Sequence, residues 1–152
     1  MKNSQSSEKS PNKNPILSDL KNYIEIEERV RYSETDQMGV AHNKTYFEWF
    51  ELGRTEYCRR KNISYKEIEA KGLFLVVVEA FCRYKKPLRY DDLFLIRTSL
   101  QEITPKKAVF AYELRTKDNQ RLIAHGYTIH IVTNAKAEVD SLPEEILNQM
   151  KV

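Results

Sequence analysis

Cysteine is scarce. Cys58 and Cys82 are the only two in 152 residues, and both fall inside stretches that read as regular secondary structure. Two thiols so placed do not make a disulfide framework, which excludes a small secreted scaffold and fits a reducing, cytoplasmic setting. No apolar run approaches the roughly 18 residues that suggest a membrane span. The opening MKNSQSSEKSPNKNP lacks the apolar segment of a secretory signal. A dense basic stripe is missing too: 25 Lys and Arg are dispersed among 22 Asp and Glu, leaving a net charge of +3. That balance argues against nucleic acid and permits an anionic small molecule. There is no G-x-S-x-G, P-loop or dinucleotide glycine pattern, and no cluster with zinc-ligand spacing, so neither a cofactor nor a metal is expected.

What is present reads as one domain, large enough for a hydrophobic core. Residues 1–20, rich in Ser, Asn, Lys and Pro, are expected to form a disordered tail, and residues 21–152 a single folded unit. Ile24, Ile26, Val30 and Tyr32 alternate with charged residues, the period of a half-buried strand. Tyr46, Phe50, Gly53 and Tyr57 recur at helical spacing, widened by Phe47 and Trp49. Thr45 and Glu48 have capping-box spacing, so this helix is expected to start near Asn43 to Thr45. A shorter helix is expected over Ser64 to Ala70, ended by Gly72. Four β-rich runs follow: 73–84, apolar on both faces at first as in a central strand, then 93–103, 107–116 and 121–133, linked by short turns. A terminal helix should begin near Pro143. One long helix with four hairpin-linked strands implies an α+β layer architecture, a curved antiparallel sheet wrapped around a central helix.

Between the first strand and the long helix lies YSETDQMGVAHNKTY, Tyr32 to Tyr46, which packs Glu34, Asp36, Gly39, His42 and Asn43 into one short turn. An aromatic, Thr35-Asp36, Gly39-Val40, and a tyrosine ten residues after the aspartate make a specific pattern. With YKKPLRYDDLFLIRT and GYTIHIVTNAKAEVDSLPEEI downstream, residues Tyr23 to Ile146 resemble the hotdog-fold acyl-CoA thioesterases of the 4-hydroxybenzoyl-CoA thioesterase type. Many relatives carry Asp where this chain has Glu34, and His where it has Asn43. The resemblance implies a hotdog fold, hydrolysis of acyl-CoA thioesters with the acid at Asp36, and a site shared between protomers of a homodimer or homotetramer.

Thioester hydrolysis needs a nucleophile or base and stabilisation of the developing oxyanion. Asp36 supplies the first, by direct attack or through water. Free backbone N–H groups at the helix start, near His42 to Thr45 and centred on Asn43, supply the second. Gly39 and Val40 shape the loop for close approach of substrate. Asp36 also has a plainer role as an Asx-turn residue, Glu34 as a loop-ordering hydrogen-bond partner, and His42 as a structural helix-start residue rather than a substrate contact. Glu51 is the second candidate acid; its alternative is an ion pair with Arg54 three residues on. Tyr46 is core or acyl-pocket wall. Lys85, Lys86 and Arg89 are the best local cluster for coenzyme A phosphates, against a merely solvated turn. His125 and His130 should face opposite sides of the last strand, and Cys58 should be inert. Two other functions stay open: a hotdog hydratase or dehydratase using His42, and a non-catalytic acyl-thioester-binding module. The acyl chain, and coenzyme A against acyl-carrier protein as its bearer, are not specified.

Overall fold

The computed structural model describes residues 20–151, so the expected tail lies outside the described residues save for Leu20, which is buried beside Ala111 against Phe81 and Tyr127. The chain runs β1 (Ile24–Arg29), a 3-10 turn (Tyr32–Glu34), α1 (Asn43–Arg60), α2 (Tyr65–Ala70), β2 (Phe74–Tyr84), β3 (Leu93–Thr104), β4 (Lys107–Thr116), β5 (Leu122–Thr133) and α3 (Glu144–Lys151). The strands form one antiparallel sheet in the order β1-β3-β4-β5-β2.

Period-2 alternation sends Phe94, Ile96 and Thr98 of β3, Phe110, Tyr112 and Leu114 of β4, and Ala124, Gly126 and Thr128 of β5 toward one face. That face closes on α1, whose buried side is Thr45, Tyr46, Trp49, Phe50, Gly53, Tyr57 and Cys58. Phe50 stacks on Tyr112 with ring centroids 4.2 Å apart and planes 5° from parallel, an offset worth about 1 kcal/mol beyond burial. Gly126 makes that seat possible, because a Cβ there would lie 2.6 Å from Phe50 Cε2 and would collide with the Phe81 carbonyl oxygen. Gly53 plays the same part opposite Thr98 of β3.

Three expectations are corrected. β2 is an edge strand rather than a central one: it pairs with β5 alone, and Val76, Val77 and Val78 are exposed. Its two-faced apolar run marks a surface that no second strand covers among the described residues. Nor are the last four strands all hairpin-linked. The segment between β2 and β3 crosses the end of the sheet, carrying buried Leu88 into the core and bridging Val40 through Arg89. The helix cap differs as well. His42, not Thr45, is the N-cap of α1, its Nδ1 accepting from the Lys44 N–H at 3.1 Å. Thr45 is buried, with its hydroxyl 3.4 Å from the Glu34 carbonyl oxygen. At α2 the expected start holds: Ser64 Oγ accepts from the Glu67 N–H. The histidines part as expected, since His130 and Gly126 share the α1 face while His125 pairs with Glu113 and Arg83 on the outer one.

Candidate active site

The loop between β1 and α1 is held by hydrogen bonds at both ends. Glu34 Oε1 accepts from the Arg31 N–H at 2.7 Å, Glu34 Oε2 accepts from the Trp49 indole N–H at 3.0 Å, and the Glu34 carbonyl accepts from the His42 N–H at 2.8 Å. One residue thus ties strand exit, loop and helix entry together. Asp36 sits inside this frame as an Asx-turn residue. Its Oδ1 accepts from the Met38 N–H at 2.8 Å and the Val40 N–H at 3.3 Å, and its backbone exchanges bonds with Val40 and Gly39. The turn needs the left-handed backbone of Gly39, whose φ is +77°. Asp36 Oδ2 has no hydrogen-bond partner among the described residues. The two roles weighed for Asp36 are therefore compatible: one oxygen builds the turn and the other stays available.

The helix entry shows a similar division. The Lys44 N–H is taken by His42 Nδ1 and Asn43 Oδ1, and the Thr45 N–H by the His42 carbonyl. The Asn43 N–H donates to no acceptor among the described residues, so it is the free amide of the first turn, at the positive end of the helix dipole. Because His42 Nδ1 accepts a hydrogen bond, the proton of the neutral ring lies on Nε2.

Asp36, His42, Asn43, Tyr46, Lys85 and Lys86 line one cavity of about 450 Å³, together with Ala41, Tyr84 and Pro87. Six of the ten residues singled out from the sequence are thus brought together. Gly39 and Val40 shape the loop without lining the cavity. Arg89 lies on the neighbouring segment, where its backbone bridges Val40 and its N–H donates to Asp92 Oδ2 at 2.8 Å. Glu51 is exposed two turns into α1, roughly 12 Å along the axis from Asn43. The ion pairs of α1 join Glu56 to Arg59 and Arg60 rather than Glu51 to Arg54.

Tyr84 was missed. It ends β2 immediately before the lysine pair, and only the crossing of β2 to the far edge of the sheet, invisible in local periodicity, brings it to the loop. Burial pushes the phenols of Tyr46 and Tyr84 up to about 12 and the nearby Cys82 thiol up to about 11, so all three are neutral around pH 7. Cys58, on the buried side of α1, is likewise pushed up to about 11 and has little thiolate character. Among the described residues no group of three or more His, Cys, Asp or Glu is placed to hold a metal ion, and no helix is long and apolar enough to cross a membrane.

Comparison with known proteins identifies the family and the fold. The profile of the Thioesterase-like superfamily matches residues 30–150. A protein of Aquifex aeolicus that carries the name esterase is 37% identical over 124 residues, covering 81% of this chain and 94% of that protein. The chloroplastic acyl-acyl carrier protein thioesterase ATL2 of Arabidopsis thaliana is 30% identical, over 82% of this chain and 66% of its own length. The crystal structure of a DHNA-CoA thioesterase from Staphylococcus aureus superposes with a TM-score of 0.79 at 26% identity, covering 85% of this chain and 88% of that one. A curved sheet wrapped around α1 is the hotdog fold that these structures share, and the chain belongs to the thioesterase-like superfamily.

Proposed function

We propose that this chain hydrolyses acyl-CoA thioesters to the free acid and coenzyme A. The observation that carries the reading is that one cavity is lined by a carboxylate and a helix-entry residue of which one oxygen and one amide have no hydrogen-bond partner among the described residues. The thioester carbonyl oxygen accepts from the Asn43 N–H, which stabilises the oxyanion as charge develops. Asp36 Oδ2 acts on the carbonyl carbon by one of two routes. As a base it takes a proton from water while the water oxygen adds; the C–S bond then breaks and the proton passes to the leaving thiolate. As a nucleophile it adds directly and expels the thiolate, and water then hydrolyses the mixed anhydride. Lys85 and Lys86 at the cavity, with Arg89 on the adjoining segment, offer cations to the phosphates of coenzyme A. His42 presents Nε2–H as a donor to the substrate. With Nδ1 already an acceptor, its imidazole does not suit the proton transfers of a hydratase.

The enzyme acts as a homodimer or a larger homo-oligomer. The unpaired β2 edge with exposed Val76, Val77 and Val78 supports this reading, because pairing two such edges would cover the apolar run and satisfy the open ladder. Glu51, exposed on α1, is then offered to the partner's site.

The test is thiol release from a panel of aryl-, short-chain and long-chain acyl-CoAs and acyl-carrier-protein thioesters, with native protein and Asp36→Asn. Asparagine keeps an acceptor for the Met38 N–H, so the turn survives while the base is lost. Turnover should fall about a thousandfold. Undiminished turnover in the variant would remove Asp36 from the chemistry, and absence of turnover by the native chain on every substrate would leave an acyl-binding module. Single turnover in ¹⁸O-water separates the routes, since only direct attack puts the label into Asp36 when the anhydride opens at its carbon.

A further inference from the structure

Tyr84 lines the same cavity as Asp36, and its place is fixed from behind. It is the last residue of β2, in register with Ala124 of β5. The next two amides, of Lys85 and Lys86, both donate to the Ile123 carbonyl, at 2.8 and 3.0 Å, so the strand end cannot swing away. From this anchor the phenol reaches across the cavity and donates to the Asn43 carbonyl oxygen at 3.2 Å. Its ring stands edge-on to Tyr46, centroids 4.7 Å apart and planes at 85°; Tyr46 packs in the same manner on Trp49, whose indole N–H holds Glu34. A continuous line of contacts therefore runs from the end of β2, through the aromatic floor, to the carboxylate that orders the loop.

We infer that Tyr84 is a positioning residue for thioester hydrolysis: its hydroxyl holds the first residue of α1 so that the Asn43 N–H stays aimed into the cavity. The carbonyl it grips shares a rigid peptide plane with the Lys44 N–H and joins the Asn43 amide through the Asn43 Cα, so holding it fixes one side of that Cα and limits how far the amide can move. Asn43 gets no comparable restraint from the helix on its N-terminal side, because its own N–H makes no hydrogen bond among the described residues. The phenol, pushed up to about 12 chiefly by burial, stays protonated near pH 7, so the restraint is present there. Tyr84 neither accepts nor gives up a proton in the reaction.

This inference rests on the proposed thioesterase reading, and the experiment separates the two. Native protein, Asp36→Asn and Tyr84→Phe are compared on one acyl-CoA for kcat, KM and pH profile. Hydrogen exchange at the Lys44 amide, which shares a peptide group with the Asn43 carbonyl, is followed in the free protein. Tyr84→Phe keeps the ring and removes only the hydroxyl. The expected result is kcat lower by about fivefold, KM within about twofold, an unchanged pH profile, and Lys44 exchange faster by a similar factor. Native kcat and native exchange in Tyr84→Phe would overturn the inference. So would a change confined to KM, which makes the hydroxyl a substrate contact, or loss of one limb of the pH profile, which makes it a proton donor. Because exchange needs no substrate, the inference is decided even if Asp36→Asn shows the thioesterase reading to be wrong.

Discussion

Trp49 Nε1 and Glu34 Oε2 meet at 3.0 Å, joining the buried indole of α1 to the loop that carries Asp36. Trp49 is almost wholly buried, at 2% exposure, so Glu34 is its indole's only described acceptor and the carboxylate is held inward, away from the cavity. Of the two acids flanking Thr35, Glu34 is a brace, and Asp36 keeps one carboxylate oxygen with no hydrogen-bond partner among the described residues.

Glu34→Ala should accordingly destabilise the fold by about 2 kcal/mol, because it strands the indole N–H and frees the Arg31 amide. Chemical denaturation measures the stability, and thiol release should fall with it as the loop loosens. Glu34→Gln, which retains an acceptor, should lose less on both counts.

Gly126→Ala places a methyl group against Phe50 and the Phe81 carbonyl. Neither the ring, stacked on Tyr112, nor the strand backbone has room to yield. A loss of about 2–3 kcal/mol is expected, read as a lower urea midpoint with an unchanged slope.

His130 gives a pH signature. Burial, reinforced by Arg54, pushes its pKa down to about 4, while the ring bonds to Thr128 Oγ1 at 2.8 Å. The folded state thus resists a proton that the unfolded chain accepts near 6.5. Stability is full above that value, falls as the pH drops below it, and levels off under about 4. The total is up to roughly 3 kcal/mol. His125 is shifted in the same direction, chiefly by burial, so it adds to the slope. Stability curves between pH 7 and 4 should be flatter for His130→Gln than for the native protein.

Val78→Lys puts a charge in the middle of the unpaired β2 edge. Light scattering should show native oligomers and a variant shifted toward monomer, with self-association weakened at least about tenfold. A native monomer at micromolar concentration would remove the shared-site arrangement.

Local pattern made much of this legible. Alternation located β1 and β3 to β5, helical spacing located α1, and the density of the loop after Tyr32 pointed to the site, because these signals lie within a few residues of one another. Strand order was not legible. Phe74 to Val78 reads as buried on both faces, yet a run at an edge that needs a partner has the same composition as one in the middle of a sheet. Placing β2 at the edge also hid Tyr84, whose contact with Asn43 spans 41 positions in the chain. The cap was misread because a capping box at Thr45 and Glu48 competes with a histidine whose ring nitrogen does the same work one residue before the helix.

Gly53 and Gly126 act as two keyways cut into the seat of α1. Each is a clearing one methyl group wide, one on the helix and one on the sheet, and together they fix how far the helix is pushed along its bed and how far it is rolled. The entry of α1 inherits that setting, so the placing of Asn43 beside the Asp36 loop is calibrated two and three turns away, among residues outside the cavity lining. A screen for lost activity in this protein should therefore return β3 and β5 positions alongside the loop, and a designer moving the loop to another sheet would have to carry both notches with it.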